Sequence, residues 1–330
     1  MILFSKKVRG SFFMRKRVLK SIIQVIPVFI IGGILSVISL YTDNQFLKDL
    51  SGYSFLMAPP LLAAYIAKEI SGSVGFIPGI VLGYLSGAIG LGMFGGILVG
   101  VILGYFINIL KKIEISIEVS SIMYLVIIPI LSTLVVGMGF YYVFQGPMRF
   151  VLDELGVYLN SLDDKNNVFL NFVLGGLIGV DLGGPINKVA YVYAVNTIEY
   201  GRGDIMGPIA VAISTPPLAL GLSQFILKNR FSKTEREAGV ISILLGFLGI
   251  TEGALLFLTR DIAVLPTTVI GAAIGAGAAS ILGVKSIVPH GGIIILPLIE
   301  NKIGFLIALS IGVASTIFML YFLKKGESNG

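Results

Sequence analysis

The sequence predicts an all-α polytopic membrane protein, and two observations carry that prediction. Hydrophobic residues make up 55% of the 330 residues and charged residues only 13%, where soluble domains run near ~25% charged. The apolar residues also fall in long runs punctuated by short basic clusters, and the mean hydropathy is +0.95. A chain of this balance cannot hide its apolar surface in a water-soluble core. The same numbers exclude other classes. There are no cysteines, so there is no disulfide, thiolate metal site or thiol nucleophile. The net charge of +6 sits beside apolar segments, as the positive-inside rule expects, and does not point to nucleic acid.

The first element follows the basic run "KKVRGSFFMRKRVLK". The apolar stretch Ser21 to Leu40 is long enough to span, and no small-residue cleavage site ends it. It therefore reads as a first membrane helix with a cytoplasmic N-terminus, not as a removed signal. Further apolar stretches lie at 54–70, 75–91, 93–110, 122–144, 167–182, 188–200, 205–227, 238–258, 264–284, 287–299 and 303–323. A simple span needs about 20 residues. The shorter stretches are those rich in Gly and Pro. Broken segments are tolerated at membrane depth only where protein or a watery cavity satisfies the backbone, and they point to a transport site. The expectation is roughly ten transmembrane helices, with re-entrant hairpins making up the remainder.

Direction comes from the basic residues. Lys111-Lys112, the segment "LKNRFSKTERE" and Lys324-Lys325 read as cytoplasmic, which puts both termini there. The segment Gln145 to Asn167 carries four acids against two bases and reads as an external loop. It divides the chain into an N-terminal scaffold half at 1–145, a loop at 146–166 and a C-terminal substrate-binding half at 167–330. The N-terminal half holds "GFIPGIVLGYLSGAIGLGMFGGILVG". Its small residues let helices pack closely in lipid, either against a second subunit or within an ordinary bundle.

Nearly all the polar candidates follow the loop. In "GGLIGVDLGGPINKVAYVYAV", Asp181, Asn187 and Lys188 stand among apolar residues, and Gly183-Gly184-Pro185 breaks any helix. "GFLGITEGALLFLTRDIAVLP" holds Thr251, Glu252 and Gly253, then Arg260-Asp261. "SIVPHGGIIIL" holds the single histidine, His290, before Gly291-Gly292. A charge at the bilayer centre costs about 2.5–3.5 kcal/mol on insertion scales, so such residues usually face a cavity. Blander readings stand beside this one. Arg260-Asp261 fits a loop pair at the membrane face, Lys188 a cytoplasmic anchor, and His290 taken alone a hydrogen-bonded core residue. Paired glycines let backbone approach a ligand, and free N–H groups at half-helix ends bind hydroxyls or anions. A carboxylate, an amide and an imidazole beside bare backbone suit a sugar.

Four ordered motifs sharpen the reading. "VDLGGPINKVAYVYAV", "GPIAVAISTPPLALGL", "GITEGALLFLTRDIAVLP" and "VPHGGIIIL" resemble the membrane component, enzyme IIC, of the fructose-type phosphoenolpyruvate-dependent sugar phosphotransferase system. The resemblance implies a fold of the glucose/fructose/lactose superfamily, a homodimer, and a C-terminal half that holds the sugar in two re-entrant hairpins. Thr251-Glu252-Gly253 matches the family's acidic motif, and His290 its histidine motif. Gly183, Gly184, Pro185, Asn187 and Lys188, after Asp181, match its Gly-Gly-Pro-x-Asn-Lys motif.

The resemblance also implies partners. The sugar would be handed to a phosphocysteine on a IIB protein fed by IIA, both separate chains here, with membrane lipid around the helices. No cofactor or metal is called for. The chain's share of the chemistry is then to hold a sugar hydroxyl in line with the incoming phosphoryl group. Glu252 would bond that hydroxyl and take its proton, and His290 would steady the hydroxyl or the phosphate. Asp181, Gly183, Gly184, Asn187, Lys188, Thr251, Gly253, Arg260, Asp261, Gly291 and Gly292 would contact substrate. The alternative is an ion-coupled transporter of a sugar or organic anion, with Asp181 or Glu252 as the proton site.

Overall fold

The computed structural model describes residues 2–113, 121–162, 167–227, 231, 233–258 and 261–323. Among them all regular structure is helical. Seven helical stretches are long and apolar enough to cross a membrane by length and composition, against the ten expected from hydropathy windows. They are Arg17–Thr42, Gln45–Ser71, Gly92–Leu110, Met123–Leu159, Gly203–Ile226, Ile262–Ile281 and Lys302–Leu323. The difference has a physical source. The short Gly/Pro segments fold as helices of 13 to 15 residues, and at about 1.5 Å per residue each falls short of a ~30 Å hydrocarbon core.

The chain forms two compact units. The first comprises Met1–Gly32 and Gly52–Val151. It takes in most of α1 (Ile2–Thr42), the end of α2 (Gln45–Leu56), α3 (Ala58–Ser71), α4 (Phe76–Ala88), α5 (Gly92–Leu110) and most of α6 (Ile128–Leu162). Helix α3 opens with Pro59-Pro60, where a missing N–H costs nothing, and ends at Gly72, whose φ is 77°. Glycines of α4 and α5 press directly on it. A Cβ on Gly79 would fall 2.5 Å from the Ala64 Cα, and one on Gly100 2.8 Å from the Ala63 carbonyl oxygen. Gly79, Gly83, Gly96, Gly100 and Gly104 are thus engaged in contacts within the unit, a close packing of the kind small residues permit in lipid.

Helix α6 departs from the sequence reading. Residues 146–162, expected as loop, continue the helix, with Pro147 inside it. Asp153 and Glu154 argue against deep burial, but Leu, Glu and Arg are good helix formers and the run has no strong stop; residues 163–166 of the expected loop lie outside the described residues.

The second unit comprises Gly33–Ser51 and Leu152–Gly330. It contains α7 (Asn167–Asp181), α8 (Pro185–Glu199), α9 (Gly203–Ile226), α10 (Lys233–Phe247), the single turn α11 (Leu255–Leu258), α12 (Leu265–Ile281) and α13 (Lys302–Leu323). Helix α9 is its axis. Its apolar span is 94% buried, which explains why it shows no polar face. Pro208, Pro216 and Pro217 lie inside it. Neighbouring helices and side chains re-satisfy the backbone freed by such prolines, and here Asn171 donates to the Asp204 carbonyl, which Pro208 leaves without its helical partner, at 3.1 Å. Helices α7 and α12 pack backbone to backbone at Gly179, and Thr268 donates to the Gly179 carbonyl at 3.0 Å.

Between α12 and α13 the chain runs without α-helix, apart from a 3-10 stretch at Ile293–Leu298. It crosses the start of α9, where Ser286 donates to the Gly203 carbonyl at 3.0 Å. Gly203 and Gly207 both lie against this strand of chain, which a side chain at either would displace. This crossing segment carries His290.

Candidate functional site

The break between α7 and α8 is built around Asp181. The chain reverses through Leu182 and Gly183, with φ of 50° and 101°, and α8 begins at Pro185. The Asp181 carboxylate accepts from the amides of Gly184 at 3.1 Å, Ile186 at 2.7 Å and Asn187 at 3.0 Å. These are the amides at a helix start that have no partner within the helix. A charged cap there is favoured by both hydrogen bonding and the helix dipole. Asn187 in turn donates to the Ile178 carbonyl at 2.7 Å and is buried. It satisfies a carbonyl of the last turn of α7.

The structure therefore corrects one expectation. The helix-start amides that the sequence leaves open for ligand hydroxyls are held by Asp181 itself. The backbone approaches that Gly183 and Gly184 allow are approaches to protein. A Cβ on Gly184 would fall 2.5 Å from an Asp181 carboxylate oxygen, and one on Gly183 2.5 Å from the Glu252 carboxyl carbon. Asp181→Ala is expected to destabilise the protein by about 2 kcal/mol, the upper range for a helix cap. The check is a thermal melt of the purified chain, with Asp181→Asn falling between the two. An unchanged melting temperature for Asp181→Ala would remove the capping role.

Glu252 lies in the 3-10 turn Thr251–Ala254 that follows α10. It is half-buried and rests on the bare Cα of Gly183. The Lys188 ammonium and the Asp181 carboxylate are close enough to act on it electrostatically. Lys188 is exposed on the first turn of α8. Thr251 is buried beside Glu252. Gly253 serves packing, because a Cβ there would press on Leu245 and Pro217.

His290 is drawn to the same place by glycine contacts. Gly249, φ 74°, lies directly against the backbone of Gly291 and Gly292, and Gly292 has φ 96°. Neither position admits a side chain without strain. This clasp joins the loop of His290 to the turn of Glu252, three residues beyond Gly249. His290 is buried, its Nδ1 lies 2.6 Å from the Gly291 carbonyl oxygen, and its amide donates to Val288 at 2.8 Å. A third tie closes the ring. The hydroxyl of Tyr191, on α8, donates to the Pro289 carbonyl at 2.5 Å.

Three motifs separated by up to about a hundred residues thus converge. The result is a carboxylate, a lysine, buried hydroxyl and amide groups, and an imidazole around glycine backbone. One predicted residue among those described is not drawn in. Asp261 caps the short turn Ile262–Val264 by accepting from Ala263 at 3.0 Å. Arg260 lies outside the described residues. Among the described residues no group of three or more His, Asp or Glu could hold a metal ion. Sequence reasoning missed Tyr191 and Gly249. Gly249 stands three residues before Glu252, and a glycine leading into a turn was the available signal. Tyr191 had none, because its partner is a main-chain carbonyl.

Comparison with known proteins agrees with the motifs. The family model described as phosphotransferase system, EIIC, matches residues 19–276. The chain is 31% identical over 331 residues to the fructose-like permease IIC component 2 of Escherichia coli K12, covering 96% of this chain and 92% of that one. It is 32% identical over 267 residues to the fructose permease IIC component of Bacillus amyloliquefaciens, covering 80% and 88%. It is 33% identical over 327 residues to the PTS system fructose-specific EIIB'BC component of Vibrio cholerae, covering 94% of this chain and 56% of that longer protein.

Proposed function

This chain belongs to the EIIC family of the phosphotransferase system, and from that premise we propose that it carries fructose or a closely related sugar across the membrane and presents it to a phosphorylated IIB partner. The convergence of Gly183, Glu252 and the His290 loop carries this reading. Glu252 accepts the proton of the sugar hydroxyl as that oxygen bonds to phosphorus, and the bond from phosphorus to the IIB sulfur breaks to leave a thiolate. His290 holds the hydroxyl or the phosphoryl oxygens. Lys188, Thr251, Gly291 and Gly292 line the sugar, and Gly183 and Gly184 let Glu252 and Asp181 pack close beside it. Asp181 and Asn187 hold the break that shapes this surface. Relatives whose names join EIIB to EIIC in one chain support the IIB partner, and a name that adds EIIA supports the IIA donor behind it.

The remaining proposals concern architecture. The C-terminal half, 167–330, binds the sugar through re-entrant hairpins, and the N-terminal half is the scaffold of a homodimer in the lipid bilayer. Roughly ten crossings result if short apolar helices such as Ser73–Ala88 and Asn167–Asp181 pair within the membrane. The basic segment Leu227 to Glu237 and both termini face the cytoplasm, and 146–166 faces outside. Single cysteines at Ser232 and Ser161 are expected to react with an impermeant thiol reagent from opposite faces of the membrane. Labelling from one face would break this topology.

The deciding experiment is uptake into vesicles. Fructose is expected to enter only with phosphorylated IIB supplied, and to be recovered as sugar phosphate. Uptake of unmodified sugar driven by an ion gradient alone would favour the ion-coupled reading instead.

A further inference from the structure

We propose that Tyr191 is a positioning residue that acts through His290. The inference rests on the role given to His290 above. His290 lies in a segment without α-helix or strand, where main-chain position is not set by a repeating hydrogen-bond ladder. Its own amide reaches only to Val288, two residues back, and Ser286 bonds Val288 within the same segment. Such local bonds shape the loop but do not fix where it sits.

Two ties reach the residues beside His290 from elsewhere. One is the backbone clasp of Gly249 on Gly291 and Gly292. The other is the Tyr191 hydroxyl on the Pro289 carbonyl, between residues 98 apart in sequence. That carbonyl belongs to the peptide unit that ends at the His290 nitrogen. Because a peptide unit is planar, a bond to its oxygen fixes the plane on which the His290 Cα hangs.

Tyr191 stands one turn beyond Asn187 and Lys188 on α8. The helix start that Asp181 caps and the histidine loop are therefore referred to one rigid element. A ring with two side-chain torsions holds such a bond at low entropic cost compared with a long flexible side chain. A displacement of about 1 Å at a catalytic group can cost ~10²-fold in rate, so a tether with no substrate contact can matter for turnover.

Tyr191→Phe keeps the ring and deletes the tether. In the full-length chain in lipid nanodiscs, amide hydrogen exchange at His290 and Gly291 is expected to quicken about tenfold, the worth of one hydrogen bond. Exchange within α8 should stay as it was. With phosphorylated IIB, kcat for fructose phosphorylation should fall about tenfold with KM held within about twofold. In a His290→Gln background the same substitution should cost little further, since residues acting through one another are not additive. Unchanged exchange at His290, or an undiminished loss of kcat in that background, would overturn the proposal. Full activity of His290→Gln alone is a separate failure. It would remove the role of His290, while the exchange rates would still report whether Tyr191 holds the loop.

Discussion

Glu252→Gln is expected to lower fructose phosphorylation by at least about a hundredfold while leaving a chain that still inserts, purifies and binds sugar. The substitution keeps shape and hydrogen-bonding reach but removes the group that takes a proton, and positioned general bases contribute about 10²–10⁴-fold. The structure explains why folding should survive. The carboxylate rests against the Gly183 backbone and is half-buried, so an amide of the same volume has the same seat. The measurement is sugar phosphate formed per IIB turnover, with sugar binding measured in parallel on the chain alone. Activity within a few-fold of the unsubstituted protein would end the assignment of Glu252 as the base. Loss of binding with loss of activity would instead make Glu252 a sugar ligand.

Gly249→Ala is expected to be as damaging, by a different route. Its φ of 74° is one that an alanine adopts only at a cost of about 1–2 kcal/mol. The new methyl would also run into the backbone of Gly291 and Gly292, and overpacking of this kind costs about 1–3 kcal/mol. A backbone neighbour cannot turn aside as a side chain can. The clasp between the Glu252 turn and the His290 loop must open. Both a lower melting temperature and loss of phosphorylation should follow. Gly283→Ala serves as a control, since Gly283 also has a positive φ, 65°, but open space around it. It should lose some stability and keep its activity. If both variants behave alike, backbone strain alone explains Gly249 and the clasp has no role in function.

Much of this molecule was legible in its sequence, for reasons that differ by part. The class was legible because bilayer insertion depends on bulk hydropathy. The three polar motifs were legible because polar residues are rare at such positions and each stood out. Their convergence on one place was visible only through the family resemblance, since no spacing brings Gly183 to Glu252. The capping by Asp181 was not legible, because an acid in an apolar run signals a ligand site and a helix cap equally well. What separates them is three amide bonds fixed by the turn at Leu182 and Gly183. Only seven of the roughly ten crossings have a helix long enough to span alone, because a hydropathy window sees apolar length and not where a helix stops. The continuation of α6 through 146–162 was missed because charge was allowed to outweigh helix propensity. Tyr191 was invisible because main-chain carbonyls leave no mark in a sequence.

The capped start of α8 has one further consequence. A helix start is ordinarily where a phosphate settles, drawn by free amides and the dipole. Here that seat is filled by the protein's own carboxylate, with Glu252 beside it. On the proposed reaction, the sugar arrives neutral and leaves as an anion. The anion finds the amides of Gly184, Ile186 and Asn187 already held by Asp181, so the helix start gives the product none of the binding it would give a free phosphate. That end of α8 therefore does not hold the product back once the phosphoryl group has been transferred.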